Sequence, residues 1–447
     1  MKAMIAKTDI RRKRLYIATF GCQMNEYDSI KMIQVLGSEY SITKDPRNAD
    51  LILVNTCSIR EKAEHKLYSL VGRFKEFKLK NPELIIGVGG CVAQQEGERL
   101  LKSLPHIDLV FGPQGLYRLP EMIGAVKAGV GPVCATELSG DFAIPFTGVP
   151  VLGEGAVRAF VTIMQGCDNF CTYCIVPYVR GREVSRPVGD IFTEAKALVE
   201  QGVKEIILLG QNVNSYGKKN GGLGFAGLLK QVAKIPGLLR LRFTTSHPRD
   251  LGDDVAECFR DIPNLCKHLH LPVQSGSTRI LKRMNRRYTR EDYLDRIKTL
   301  RDMCPSITFT TDIIAGFPGE TDEDFEETMS LLKEVGYEQI FAFKYSPRPF
   351  TKAAEFEDQV PEDVKAGRLK AILELQNEIS LGRHEQLCGR EVEVLVEGQS
   401  KTDQAWLAGR TTGNHVVNFP GPMSLIGQLV NVRITKALCH CLCGELV

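Results

Sequence analysis

The sequence predicts an α/β protein with three successive regions: an N-terminal parallel α/β sheet domain, a central incomplete (β/α)6 barrel and a small C-terminal antiparallel β-barrel. Apolar strand-like runs alternate with helical stretches over residues 12–130, and the same alternation returns over residues 153–380. Residues 381–446 instead carry short runs of alternating polarity, which are typical of a small β-barrel. The length of 447 residues agrees with about three domains.

The composition argues against a membrane-spanning, secreted or disulfide-rich protein. Hydrophobic residues make up 43% and charged residues 25% of the chain, as in ordinary globular proteins. No stretch has the length and apolar character of a membrane span, and the start lacks a signal peptide, so we expect a cytoplasmic protein without a membrane partner. Fourteen cysteines then indicate metal ligands and core thiols rather than disulfides. The net charge of +3 neither demands nor excludes a nucleic-acid partner.

The first region places three cysteines at equivalent positions. Its expected strands are residues 15–20, 51–55, 84–88 and 107–111. Cys22, Cys57 and Cys91 follow the first three of these strands. Ligands in open α/β sheets bind beyond the carboxyl edge of the strands, so these thiols could converge on one metal cluster. The alternative is three unrelated small apolar residues in loops.

The second region follows a linker rich in glycine and proline, residues 129–155. Its expected strands are residues 158–164, 205–209, 239–244, 267–271, 308–315 and 339–344. Six strands alternating with helices indicate an incomplete barrel, whose chemistry is expected at the carboxyl end of the strands.

A cysteine triplet lies immediately after the first barrel strand. Cys167, Cys171 and Cys174 are spaced C-x-x-x-C-x-x-C. A four-iron cluster usually takes four thiolates, and a structural zinc site also takes four ligands. Three close cysteines without a fourth favour a cluster with one open iron, which could chelate a small molecule such as S-adenosylmethionine. A partial zinc site or buried thiols remain the alternative.

Other residues near the expected barrel mouth are candidate contacts. Tyr173, between two of the cysteines, could lie beside an adenine, or it could simply pack in the loop. Gln211 and Gln274 end strands at the same edge and could hydrogen-bond a polar ligand, although ordinary turns explain them equally well.

Basic residues cluster in two places beside these loops, where they fit either phosphate contacts or a solvated face. The clusters are Arg180, Arg182 and Arg186, and Lys282, Arg283, Arg286, Arg287 and Arg290.

Three cysteines near the C-terminus recur at every second residue. Cys439, Cys441 and Cys443 are therefore expected on one strand face, which we assign to the interior of the small barrel. A third metal site is the alternative.

Six segments in combination resemble the methylthiotransferase branch of the radical S-adenosylmethionine enzymes, across essentially the whole chain. The segments are GCQMN (21–25), NTCSIR (55–60), RGRE (180–183), LGQNVNSY (209–216), TSHP (245–248) and LPVQSG (271–276). The resemblance implies an auxiliary [4Fe–4S] cluster on Cys22, Cys57 and Cys91. It implies a radical [4Fe–4S] cluster on the triplet, and a C-terminal RNA-binding barrel of the TRAM type.

The resemblance also implies an activity and partners. The expected enzyme inserts a methylthio group at carbon 2 of N(6)-isopentenyladenosine next to the anticodon of tRNA. One cluster would serve radical generation from S-adenosylmethionine and the other sulfur transfer. Expected partners are tRNA, contacted by Arg180 and Arg182, and a one-electron donor such as flavodoxin or ferredoxin, with the enzyme acting as a monomer.

Alternatives remain open from the sequence. Within the branch, the substrate could be a threonylcarbamoylated tRNA adenosine or an aspartate of a ribosomal protein. Outside enzymes, a non-catalytic iron–sulfur or zinc-bearing RNA-binding protein would carry similar cysteines.

Overall fold

The computed structural model describes residues 12–58, 61–153, 155–219, 221–401 and 403–447. These form two compact units. The first comprises the described residues up to Pro150 together with Tyr178–Gly181, and the second comprises Val151–Pro177 and Arg182–Val447. Ile59 and Arg60, the end of one of the family-like segments, lie outside the described residues.

The first unit is a six-stranded parallel sheet in the order β2-β1-β3-β4-β5-β6. Its strands are β1 Lys13–Phe20, β2 Tyr40–Ile42, β3 Leu51–Thr56, β4 Ile85–Gly90, β5 Leu109–Phe111 and β6 Val133–Ala135. Its helices are α1 Gln23–Leu36, α2 Glu61–Lys80, α3 Cys91–Glu96, α4 Glu98–Ser103 and α5 Leu119–Lys127. The four expected strands are all present, and the short edge strands β2 and β6 are additional.

Two apolar cores hold this sheet, one on each face. Strand β3 supplies both, because alternate side chains point to opposite faces: Ile52 and Val54 enter one core, and Leu51 and Leu53 the other. All four are fully buried. Burial of such a side chain contributes about 1.5–3 kcal/mol, so the centre of the sheet is a stable base for the loops at its carboxyl edge.

The second unit begins with six parallel strands arranged as two three-stranded sheets, β11-β10-β7 and β12-β13-β14. A parallel bridge between Leu241 and Leu265 connects them. The six strands are β7 Arg158–Thr162, β10 Glu205–Leu209, β11 Arg240–Phe243, β12 His268–His270, β13 Thr308–Ala315 and β14 Gln339–Lys344; between β7 and β10 along the chain come the short strands β8 Met164–Gln165 and β9 Val184–Ser185. Strands β8 and β9 pair separately, and the six-stranded prediction is confirmed.

Along the part of the chain that the structure describes, eight helices alternate with these strands. They are α6 Val176–Arg180, α7 Val188–Glu200, α8 Phe225–Val232, α9 Asp253–Asp261, α10 Thr278–Arg283, α11 Arg290–Met303, α12 Asp322–Val335 and α13 Glu362–Glu385. Helix α12 begins at a capping box, in which Thr321 and Asp324 satisfy each other's backbone N–H groups. Within the described residues, no helix is both long enough and apolar enough to cross a bilayer.

A closed five-stranded barrel completes the second unit, in the order β15-β16-β17-β19-β18. Its strands are β15 Glu391–Gln399, β16 Trp406–Arg410, β17 Val416–Pro420, β18 Leu429–Ala437 and β19 Leu442–Leu446. The expected small barrel is confirmed, with one parallel pair, β17 and β19, among antiparallel ones.

The assignment of the C-terminal cysteines to the barrel interior is wrong. Leu442 is fully buried in the barrel core, whereas Cys439, Cys441 and Cys443 are half-exposed. Only Cys443 lies in β19, where Leu442 and Gly444 face the interior, so the phase of the alternation is inverted there; Cys439 and Cys441 precede the strand.

Candidate metal centres

Three thiols meet at the carboxyl edge of the first unit. Cys22 precedes α1, Cys57 follows β3, and Cys91 is the first residue of α3. The strands before them, β1, β3 and β4, are adjacent in the sheet and therefore about 4.8 Å apart. A hydrogen bond from Cys57 is the largest cause that lowers the pKa of Cys22 to about 6. The convergence expected from the sequence is present.

Two glycines allow this close approach. Gly21 adopts a φ of +131°, and a Cβ there would overlap the Cβ of Cys57. Gly90 adopts a φ of +93°, and a Cβ there would overlap Asn55. Both positions favour glycine for backbone reasons as well as for space. The two loops could not come together with larger residues at these points.

Two fully buried asparagines brace the thiol loops. Asn25 Nδ2 donates to Asn55 Oδ1 over 3.0 Å, and Asn55 Nδ2 donates to the Asn25 carbonyl over 2.8 Å. Asn25 Oδ1 in turn accepts from Cys22 Sγ at 3.2 Å. Because Asn25 lies in α1 and Asn55 in β3, these hydrogen bonds hold the start of α1 against the end of β3, next to the thiols.

Arg180 lies beside these thiols rather than on a surface. Its Nη2 contacts Asp28 Oδ2 at 2.7 Å, and the Arg180 side chain is 3% exposed. The prediction of a phosphate contact at Arg180 is therefore wrong, because a phosphate needs an exposed guanidinium. Burial raises the pKa of Cys91, and Arg180 opposes that rise. A fixed cation next to three thiols suits a group that carries negative charge.

The donor set of this thiol site fits an iron–sulfur cluster. Thiolates select soft metals and iron–sulfur clusters, and this site offers three of them on one edge of a rigid sheet. The thiol hydrogen bond and the guanidinium both stabilise the deprotonated form, which is the form that binds metal.

The second unit carries the cysteine triplet in a loop that many backbone contacts hold. Asn285 Nδ2 donates to the carbonyls of Asn169 and Phe170 at 3.2 and 3.0 Å. The Cys174 N–H donates to the Cys171 carbonyl at 2.9 Å, which forms a tight turn. Burial raises the pKa of Cys167 to about 11 and also raises the pKa of Cys174. These thiols therefore stay protonated until a metal ion replaces their protons.

Arg286 is a buried cation at this triplet. Its Nη1 lies 3.5 Å from Cys171 Sγ and 3.3 Å from the Tyr173 hydroxyl. With 4% exposure it is unavailable to phosphate, so that part of the basic-cluster prediction is wrong. Arg186 is likewise buried, paired with Glu194 at 2.8 Å. Sequence alone does not distinguish a buried arginine from exposed neighbours in the same basic run.

His247 is a further residue at the triplet that the sequence did not single out. Its Nε2 lies 4.0 Å from Cys171 Sγ. Burial strongly lowers the pKa of His247, so the imidazole is neutral at physiological pH. The TSHP segment was a signal for this residue, but nothing in its composition indicated which side chain faces the thiols.

Two of the three predicted ligand contacts, Tyr173 and Gln211, lie at the same loop. Gln211 Oε1 accepts from the Gly166 N–H at 2.6 Å, directly before the triplet. Tyr173 packs edge-on against Phe317 with ring centroids 6.5 Å apart. Gln274 adopts a φ of +75°, an uncommon conformation for a side-chain-bearing residue that often marks a functional site.

Arg182 contrasts with the buried arginines. Its side chain is 67% exposed, and its Nε donates to Asp168 Oδ1 at 2.6 Å. Its guanidinium also lies over the Phe170 ring, 5.4 Å from the centroid. An exposed cation fixed beside the triplet remains a candidate for phosphate contact.

Two carboxylates near the triplet were missed as candidates. Asn212 Nδ2 donates to Asp250 Oδ2 at 2.7 Å, and Ser215 Oγ donates to Glu183 Oε2 at 2.7 Å. Burial raises the pKa of Glu183. Oriented carboxylates at a barrel mouth can accept hydrogen bonds from a ligand's amino group.

Known proteins match nearly the whole chain. Residues 161–332 match the Radical SAM superfamily, residues 14–112 the Uncharacterized protein family UPF0004, and residues 385–447 the TRAM domain. Among curated proteins, the tRNA-2-methylthio-N(6)-dimethylallyladenosine synthase of Geotalea uraniireducens is 51% identical, covering 98% of this chain and 99% of that protein. The protein of the same name from Geobacter metallireducens is 52% identical over 97% and 98%.

The chain belongs to the tRNA-2-methylthio-N(6)-dimethylallyladenosine synthase family. The resemblance inferred from the sequence is confirmed, as are membership of the radical S-adenosylmethionine enzymes and the TRAM barrel.

Solved structures support the fold. The radical S-adenosylmethionine methyltransferase TsrM from Kitasatospora setae aligns with a TM-score of 0.60 at 14% identity, covering 77% of each chain. The cobalamin-dependent S-adenosylmethionine radical enzyme OxsB aligns with a TM-score of 0.55, covering 82% of this chain and 56% of that one.

Proposed function

We propose that this chain inserts a methylthio group at carbon 2 of N(6)-isopentenyladenosine next to the anticodon of tRNA. The observation that carries the proposal is identity above 50% over nearly the full length of two synthases named for that product. The match to a TRAM domain at residues 385–447 agrees with an RNA substrate. Single-stranded loops are the usual targets of sequence-specific RNA recognition, and an anticodon loop is one.

The proposal assigns one [4Fe–4S] cluster to each thiol site. Cys22, Cys57 and Cys91 would hold one in residues 12–130, and Cys167, Cys171 and Cys174 the other in residues 153–380. When bound, the cluster on Cys167, Cys171 and Cys174 would supply the electron for cleavage of S-adenosylmethionine, and the cluster on Cys22, Cys57 and Cys91 would supply sulfur for transfer.

This chain's own residues would orient the reactants. An aromatic carbon–hydrogen bond offers no acid–base route, so exclusion of water and correct placement must provide most of the protein's contribution. Tyr173, Gln211 and Gln274 would contact S-adenosylmethionine at the triplet. Glu183 could accept hydrogen bonds from its amino group. Arg182 would contact a phosphate of the RNA, which orients but does not select a sequence.

The proposal extends to partners and location. Residues 381–446 would bind tRNA, and a one-electron donor such as flavodoxin or ferredoxin would reduce the radical cluster. The enzyme would act in the cytoplasm as a monomer.

The test uses anaerobically purified protein, S-adenosylmethionine, a reductant and tRNA that carries either N(6)-isopentenyladenosine or threonylcarbamoyladenosine. Mass spectrometry quantifies the modified nucleosides and 5′-deoxyadenosine. Cys171→Ala should abolish both 5′-deoxyadenosine and product, whereas Cys57→Ala should abolish product but keep some cleavage. Cys388→Ala, which changes an exposed thiol, is the matched control.

Two outcomes would contradict the proposal. Product from threonylcarbamoylated tRNA alone would assign the other substrate. Bound iron without any consumption of S-adenosylmethionine would indicate a non-catalytic iron–sulfur protein.

A further inference from the structure

A third group of metal-ligating side chains lies in the second unit, apart from the cysteine triplet. Glu338 directly precedes β14, His384 belongs to the last turn of α13, and His415 precedes β17 of the small barrel. One ligand atom from each lies within 4.8 Å of the other two. Glu338 and His384 are buried and His415 is half-buried. Three distant segments thus bring two imidazoles and a carboxylate together.

The hydrogen bonds of His384 fix the imidazole in a metal-binding form. Its Nδ1 lies 2.6 Å from the carbonyl of Leu438. A carbonyl only accepts, so Nδ1 carries the proton and the lone pair of the neutral ring is at Nε2. Metal-binding histidines in proteins usually donate their second N–H to a carbonyl or carboxylate in this way.

His415 and Glu338 already have a separation that suits a metal ion. His415 Nε2 lies 3.1 Å from Glu338 Oε2. Ligand atoms about 2.0–2.1 Å from a tetrahedral zinc ion are about 3.3 Å apart. Without metal, Nε2–H donates to the carboxylate. On metal binding the neutral ring changes tautomer: the Nε2 proton leaves to solvent, Nδ1 takes up a proton from solvent, and Nδ1–H donates to Thr411 Oγ1, which is 3.0 Å away.

The surrounding contacts hold these ligands in place. Arg383 Nη2 contacts Glu338 Oε1 at 2.5 Å, which leaves Oε2 directed at the histidines. Thr308 Oγ1 donates to the Gly413 carbonyl at 2.9 Å, so the loop that carries His415 is fixed to the central strands. Since these ligand atoms lie within 4.8 Å of one another, reaching the separation of a tetrahedral site requires a shift of at most about 1.5 Å, within the reach of a side-chain adjustment.

We propose that Glu338, His384 and His415 bind one zinc ion, with water as the fourth ligand, and that the ion joins the small barrel to the central strands. Two nitrogens and one oxygen are a usual zinc donor set. The site is independent of the proposed tRNA chemistry. Because Arg383 also binds the carboxylate, its positive charge weakens the attraction for the ion, and we expect zinc that exchanges with chelators.

The test must distinguish zinc bound at this site from zinc bound by cysteine thiols. Anaerobically prepared protein with its clusters intact is equilibrated at a free zinc concentration set by nitrilotriacetate, and zinc and iron are quantified by mass spectrometry. Wild type should bind about one zinc more than the His384→Ala/His415→Ala variant at equal iron. The Cys439→Ser/Cys441→Ser/Cys443→Ser variant and His106→Ala should keep that zinc.

A second measurement uses wild-type protein only, so it does not depend on whether the variants fold. Crystals of wild type grown with zinc should give an anomalous-difference peak at the zinc edge between the two Nε2 atoms. A peak at the C-terminal cysteines instead, equal zinc in the double histidine variant, or no zinc in wild type would overturn the proposal. The last result would assign the group to a plain hydrogen-bond network.

Discussion

The buried ion pair at the first thiol site yields a quantitative prediction. Arg180 and Asp28 are 3% and 7% exposed at their side chains and 2.7 Å apart. Arg180→Met would leave the Asp28 carboxylate buried without its cation. Removing one partner of a buried pair costs about 3–5 kcal/mol. That free energy corresponds to opening of the first unit roughly 10²–10⁴ times more often.

The pH dependence of this loss follows from Asp28. Burial raises the pKa of Asp28 even with Arg180 present. A raised carboxyl pKa in the folded state means that the cost of the stranded charge is present above that pKa and is relieved as the pH falls through it. The loss in Arg180→Met should therefore be larger near pH 8 than near pH 6. Arg180→Met/Asp28→Asn should lose less, because no charge is stranded.

Hydrogen exchange followed by mass spectrometry measures this opening directly. Amides of β3 should exchange faster in the variant by the factor given above. Trp406, the single tryptophan, lies in the small barrel of the second unit, so its fluorescence midpoint in urea should not move. Arg47→Met provides the matched control, since its pair with Asp45 is exposed and screened by solvent, so its loss should change stability little.

A loss of stability in Arg180→Met no larger than that of the exposed control would refute the reasoning. So would a loss that is the same at both pH values.

Three further substitutions test other parts of the account. Gly90→Ala should displace the chain at Asn55 and reduce bound iron by about half. Iron per chain is measured after anaerobic purification, and an iron content equal to that of wild type would contradict this prediction. Arg286→Met should shift the midpoint potential of the radical cluster in the negative direction, because a cation near Cys171 stabilises the reduced cluster. A redox titration followed by electron paramagnetic resonance measures this potential, and an unchanged value would disprove the prediction. Burial raises the pKa of Glu320 to about 7, so the free energy of unfolding of the second unit should fall by about 1–3 kcal/mol from pH 4.5 to pH 7. In Glu320→Gln, thermal unfolding should show a smaller dependence of stability on pH.

The sequence predicted the central strands and the placement of the three N-terminal cysteines, because both follow from local patterns. β3 is a continuous apolar run, and a parallel sheet requires its loops at one edge, so the meeting of Cys22, Cys57 and Cys91 followed from topology. The short edge strand β6 was missed because three residues within a stretch rich in glycine and proline carry no periodic signal.

Residues that act through burial were not predictable in the same way. Arg180 and Arg182 are two residues apart in one basic segment, yet one is buried against Asp28 and the other is exposed. The phase of the C-terminal strand was inverted for a similar reason, because cysteine and leucine both suit an interior and only the barrel decides between them. Glu338, His384 and His415 are far apart in sequence and share no motif, so only the folded chain brings them together.

The central claim is that each of two cysteine trios holds its own four-iron cluster. Iron and sulfide quantification with Mössbauer spectroscopy on anaerobically isolated protein tests it most directly. The account predicts about eight irons per chain in wild type and about four after all three cysteines of either trio are changed to alanine. About four irons in wild type, or loss of all iron from either triple variant, would contradict it.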